Sequence, residues 1–154
     1  MNLSEILVTV IITAALSSIC LVSAQEPLAR QELENASREL WLGLERARKQ
    51  AEQQGAPCAL ELGPTGWQAP GLGNLASCND AEVKIMKDSV NSKLQLSNNF
   101  AAPLIFTPNG LVLGGGTILL AHSGINLRRC MVISLPLGIT RIGKYSKAAC
   151  LPDG

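Results

Sequence analysis

The 19 residues from Ile6 to Ala24 (ILVTVIITAALSSICLVSA) contain no charge, proline or glycine, and the acid Glu5 stands immediately before them. At ~1.5 Å rise per residue, a helix of that length nearly spans the ~30 Å hydrocarbon core of a bilayer. A carboxylate at the head of such a segment is expensive in lipid, so it ordinarily has a partner and a task. The chain of 154 residues therefore has room for one membrane segment (residues 1–24) and one modest domain. Its 16% charged and 47% apolar content fits a greasy segment joined to an ordinary globular body.

The helical pattern continues beyond the apolar run. Apolar residues recur at Leu33, Ala36, Leu40, Leu44, Ala47 and Ala51, one face of an amphipathic helix over residues 25–55. Glu34 with Arg38 and Glu45 with Lys49 are spaced as i,i+4 pairs. Gly55 and Pro57 supply a C-terminal stop. Pro27 is expected to kink the long helix or to separate its halves.

From residue 56 the signals turn to β. Residues 58–62 and 81–85 alternate, and 93–96, 103–107, 111–113, 117–121, 129–135 and 139–142 read as further short strands. Gln68 to Asp80 reads as a loop, Pro108-Asn109-Gly110 as a turn, and Gly114-Gly-Gly116 as a turn or bulge. One long helix followed by a run of strands predicts an α+β fold, with the helix lying across a small antiparallel sheet formed by residues 56–154.

Cys58, Cys78, Cys130 and Cys150 form an even set beyond the membrane segment, so two disulfides are expected if that part faces an oxidising compartment. Three connectivities are open; the sequence-neighbour pairing Cys58–Cys78 with Cys130–Cys150 closes two loops of similar length and is preferred. Cys20 reads as a small hydrophobe. No C-x-x-C occurs, and the one histidine, His122, has no cysteine at finger spacing, so no metal or other cofactor is expected. His122 beside Ser123 reads as a turn residue. With no G-x-S-x-G, H-E-x-x-H or clustered carboxylates, no catalytic constellation stands out and a non-enzymatic role is expected.

The N-terminus Met1-Asn-Leu-Ser-Glu5-Ile-Leu-Val resembles the mature N-terminus of type IV pilins and type II secretion pseudopilins, with Leu3, Glu5, Ile6, Leu7 and Val8 matching. Met1 replaces the usual Phe and Ser4 an aliphatic residue. Residues 39–55, Trp67, Leu104-Ile-Phe-Thr-Pro-Asn-Gly110 and the stretch from Val132 to Arg141 are similar to GspH/FimT-like minor pseudopilins. The resemblance implies a pilin-like, non-catalytic filament subunit, with the filament tip among its positions. It would be held in the bacterial inner membrane by a single pass, with a cytoplasmic N-terminus and a periplasmic C-terminal domain, and then pass into an extracytoplasmic filament. Implied partners are other pilin or pseudopilin subunits, the inner-membrane assembly platform and a prepilin peptidase. Glu5, Met1 and Leu3 would serve assembly, Glu5 neutralising the α-amino group of a neighbouring subunit. Met1 would be the site of processing and N-methylation. Such processing needs a basic leader ending in Gly, and every Lys and Arg here follows Ala24. Either the reading frame extends upstream of Met1, or Met1 is an initiator and processing is lost; the first is the expectation preferred.

Two other readings compete. Residues 91–152 contain six cations and no acid, and Arg128, Arg129, Arg141, Lys144 and Lys147 are the candidate phosphate contacts of a DNA-binding minor pilin in an uptake machine. Gly138-Ile-Thr-Arg141 departs from the G-R-x-R element of DNA-uptake members of the family. Val22-Ser-Ala24 before Gln25 also resembles a signal-peptidase site, which would make residues 1–24 a cleaved signal.

Overall fold

A computed structural model describes residues 2–23, 25–71, 75–87 and 92–152, with no side chains described for residues 14–23. Met1, the expected processing site, and Ala24, the expected end of the membrane segment, lie outside the described residues. Two helices lead the chain: α1 (Leu3–Ser23) and α2 (Gln25–Gln54). Pro27 falls in the first turn of α2, where a missing N–H leaves no helical bond unmade. The other end of α2 stops at Gly55, which adopts a left-handed φ of 61°. Among the described residues, no helix is long and apolar enough to cross a membrane. The side chains of the second half of the apolar run fall outside that description.

Among the described residues eleven short strands follow, arranged in two sheets rather than one. The first sheet contains β1 (Cys58–Gly63), β2 (Gly66–Gln68), β3 (Ala76–Ser77), β4 (Val83–Lys84), β6 (Leu104–Phe106) and β7 (Val112–Leu113). Its order is β4-β2-β1-β6-β7, with β3 added parallel to β1. The second sheet contains β5 (Leu94–Asn98), β8 (Gly116–His122), β9 (Arg128–Ser134), β10 (Ile139–Ser146) and β11 (Ala149–Pro152). It is antiparallel throughout, in the order β11-β10-β9-β8-β5. The stretch expected as one strand over residues 81–85 instead begins in a 3-10 turn (Asn79–Ala81) before β4. The alternation there reflects burial of Ala81 and Val83 rather than a long strand.

The periodic stripe of α2 is the centre of the molecule. All six apolar positions expected on its inner face are buried, together with Ala29, Ser37, Gly43 and Gln50. They pack against β1, β2, β4 and β6 of one sheet and β8 and β9 of the other. At roughly 1.5–3 kcal/mol for each fully buried large aliphatic side chain, Leu33, Leu40 and Leu44 anchor both sheets at once. The small residues between them set how closely the sheets approach. At Gly43 an added Cβ would lie 2.6 Å from Cδ1 of Trp67. The Trp67 indole N–H donates to the Leu40 carbonyl at 2.8 Å. Trp67 then stacks on Phe100, just past β5, with ring centroids 6.3 Å apart, so one aromatic pair connects the two sheets.

The structure pairs Cys58 with Cys78 and Cys130 with Cys150, the sequence-neighbour connectivity. The second bridge reaches across β10. In register, Cys130 stands opposite Gly143 and Cys150 opposite Tyr145. Strands two apart in a flat sheet lie about 9.6 Å from each other, yet the Cα atoms of Cys130 and Cys150 are 5.8 Å apart. The sheet therefore curls sharply at β10, and it does so where Gly143 carries no side chain: a Cβ there would strike the Leu151 carbonyl. Beyond it the β10–β11 hairpin turns through Lys147 (φ 50°) and Ala148 (φ 60°), two left-handed residues in a turn that favours Asn-Gly.

Two predictions follow from this packing. Gly43→Ala is expected to destabilise the fold by about 1–3 kcal/mol through overpacking against Trp67, despite the roughly 1 kcal/mol that helix propensity gains from the same change. Denaturant unfolding followed by tryptophan fluorescence checks it, and a more stable variant would refute the close contact. The double change Lys147→Asn, Ala148→Gly is expected to raise stability by about 1 kcal/mol by relieving left-handed strain, measured in the same titration.

Candidate assembly surface and the basic sheet

Glu5 is the third residue of α1 if Leu3 is counted first, and Asn2 occupies the capping position. The Asn2 carbonyl accepts the Glu5 N–H at 2.9 Å, while the Glu5 carboxylate reaches back to accept the Asn2 N–H at 3.1 Å. This is the glutamate half of a capping box, and the acid also sits favourably at the positive end of the helix. The spacing Asn2-x-x-Glu5 carries that signal, and the sequence reading did not use it.

Past Glu5, residues 6–12 of α1 present an exposed aliphatic surface. Leu3, Ile6, Leu7, Val8, Val10, Ile11 and Ile12 are each at least 43% exposed. The two hydroxyls in this half are turned inward to the helix backbone. Thr9 Oγ1 donates to the Ile6 carbonyl at 2.8 Å, and Thr13 Oγ1 lies 3.0 Å from the carbonyls of Thr9 and Val10. Leu3 and Glu5 thus head a continuous apolar surface suited to lipid or to neighbouring apolar helices.

The cations of the second sheet do not form one patch. Ladder pairing sets Arg129 opposite Lys144, Val132 opposite Arg141, and Arg128 opposite Ala121. Because side chains alternate along a strand, Arg128 and Arg141 share one face while Arg129 and Lys144 share the other. Arg129, grouped in sequence with the phosphate contacts, is buried, and its guanidinium bonds the Glu34 carboxylate of α2. It serves the fold rather than an open surface. Arg128, Arg141, Lys144 and Lys147 are exposed, with Lys147 at the hairpin tip.

His122 opens the turn after β8, as expected of it, its carbonyl accepting the Ile125 N–H at 3.2 Å, and it makes a further contact. It ends β8, buried, with Nδ1 accepting the Gly124 N–H at 3.0 Å. A neutral ring therefore carries its proton on Nε2, which lies 3.3 Å from the Glu32 carboxylate. Glu32 and Glu34 together fasten the N-terminal half of α2 to β8 and β9. Arg48 fastens the other half, donating to the carbonyls of Leu137 and Gly138 in the β9–β10 turn. Sequence reasoning missed all three because their partners lie about 90 residues away. Among the described residues no group of three or more metal-ligating side chains comes together.

A helix with an exposed aliphatic first half, followed by a second helix packed on antiparallel sheets, defines a pilin-like α+β protein, whose helix-and-sheet body is its head. The chain belongs to the type II transport protein GspH family, whose model matches residues 36–137. The match begins inside α2 and ends in the β9–β10 turn, so it covers most of the head and leaves α1 outside. It bears out the likeness to GspH/FimT-like pseudopilins and associates the chain with type II secretion. Comparison with curated proteins and with solved structures gave no match.

The ion pair between α2 and β9 can be weighed directly. In a double-mutant cycle on Glu34→Ala and Arg129→Ala, a coupling of about 1–3 kcal/mol is expected, since a charged hydrogen bond to a buried guanidinium is lost. Independent, additive losses would show that the pair contributes nothing to holding α2 on the sheet.

Proposed function

We propose that the chain is a non-catalytic minor subunit of a type II secretion pseudopilus. Its N-terminal helix is stored in the inner membrane in a single pass, N-terminus cytoplasmic and head periplasmic, and then withdrawn into a filament. Filament assembly brings the α1 helices of neighbouring subunits together, and Glu5 pairs there with the terminal amine of the next subunit. The observation that carries this reading is the exposed aliphatic first half of α1, headed by a carboxylate, in a chain with a GspH-family head. A carboxylate moved into an apolar bundle is strongly unfavourable unless an opposite charge meets it, so Glu5 admits the register in which a neighbour's amine lies beside it and disfavours others. Other pseudopilins, the inner-membrane assembly platform and a prepilin peptidase acting before Met1 are the partners this role requires. A place at the filament tip belongs to the same proposal.

The DNA-capture reading has a narrower footing. Of the five cations it draws on, Arg129 is engaged with Glu34, and the other four are divided between two faces and a hairpin tip. Such a distribution suits weak, salt-sensitive contact with phosphates rather than a built groove for a duplex.

The local cap allows the charge of Glu5 to be tested apart from its hydrogen bond. Glu5→Gln keeps a side chain able to accept the Asn2 N–H but removes the negative charge, whereas Glu5→Ala removes both. Both variants are expected to insert in the membrane, and neither to crosslink into filaments. Incorporation of Glu5→Gln at the wild-type level, with Glu5→Ala excluded, would assign Glu5 to helix capping instead.

A further inference from the structure

On the face of the second sheet turned away from α2 lies a cavity of about 420 Å³, within the size range of ligand-binding clefts. All five strands contribute to it. Ser97 and Asn98 of β5 form one wall, Leu119 and Val132 the floor, and Tyr145 and Cys150 the opposite wall. β5 and β11 are the two terminal strands of this sheet, yet they border the same cavity. The curl imposed at Gly143 and held by Cys130–Cys150 has brought the two edges round toward each other without closing the sheet.

The ladder shows which backbone groups face that opening. Ser123 donates to the Lys93 carbonyl, and Asn99 to that of Thr117. With the register Ser97↔Leu119 between them, the odd-numbered residues of this segment turn their N–H and C=O groups toward β8. Leu96 and Asn98 therefore turn theirs away, along the edge of the sheet, and among the described residues β5 pairs with β8 alone. The side chains at the rim add donors. The side-chain Oδ1 of Asn98 accepts the Phe100 N–H and Oδ1 of Asn99 accepts the Thr117 N–H. This fixes both amide orientations and leaves their NH₂ groups for a ligand.

Charge narrows the occupant. Arg141 stands opposite Val132 in the ladder, Arg128 lies on the same face one row beyond Leu119, and Lys147 adjoins the cavity-lining Ala148. No acid occurs anywhere from residue 91 to 152. The geometry points to an extended acidic peptide segment of a partner protein, added as a further strand along β5 with its carboxylates toward Arg128, Arg141 and Lys147. Backbone bonding at Leu96 and Asn98 gives affinity and the cations give selectivity. A nucleic acid strand is less well served, because Tyr145 is the one aromatic side chain on this wall for a base to stack on. The inference is independent of Glu5, since it concerns the isolated subunit and not the filament.

The test uses the full chain in detergent micelles and three acetylated, amidated heptapeptides. The first alternates Thr and Glu, the second carries Pro at its centre with the same charge, and the third has Lys in place of Glu. Calorimetry at low salt is expected to show binding of the first, at least about tenfold weaker binding of the second, and none of the third. Amide exchange at Leu96 and Asn98 should slow on binding. Leu119→Trp, which fills the floor, should abolish binding. Asn98→Pro, which removes an outward N–H without touching the ladder, should weaken it, and this variant keeps the test decisive if the first fails to fold. Glu5→Gln should bind as the unaltered chain does. Equal affinity for the first two peptides, absence of binding at low salt, or binding of duplex DNA alone would overturn the proposal.

Discussion

The head is organised around a single stripe on α2 that has to satisfy two sheets simultaneously. Leu33, Leu40 and Leu44 supply the apolar area, but the small positions decide the geometry. Gly43 lets the Trp67 ring lie against the helix backbone, and the indole then donates to Leu40 and stacks on Phe100. A side chain at residue 43 would move the ring outward, and with it β2 and the loop after β5. Glycine in a helix interior costs roughly 1 kcal/mol relative to alanine, and here that cost is offset by a contact connecting three elements.

Much of this was legible in the chain. The 3-4 spacing of apolar residues over 33–51 identified all six inward positions, because a helical face is a local property of the sequence. Most strands were found to within two or three residues for the same reason. The division into two sheets was not readable, since alternation reports which side chains are buried and not which strands pair. β2, β3 and β11 were missed because the first two are three and two residues long and the last is defined by its disulfide and hairpin rather than by hydropathy.

The polar contacts show the same limit more sharply. Sequence spacing offers Glu34 a partner in Arg38 one turn away, while the fold turns it toward Arg129, buried on β9. A partly buried guanidinium gains more from a carboxylate than an exposed i,i+4 neighbour does, where such pairs contribute a few tenths of a kcal/mol. His122 is a turn residue, as its neighbours suggest, but its contact with Glu32, 90 positions upstream, has no local signal. Of the candidate functional residues, Glu5 stood out early because its meaning depends on its immediate neighbours. The cations did not sort themselves until the register assigned each to a face.

The bridge between Cys130 and Cys150 changes what a break in the backbone would mean. Lys147 projects from an exposed turn, the kind of place where extracellular proteases cut. A chain severed between Lys147 and Ala148 would still be one covalent molecule, because the last strand remains tied to β9 through sulfur and not only through the hairpin. In the role proposed, which places the head outside the cytoplasm, that makes this exposed turn one that can be nicked without losing the strand behind it.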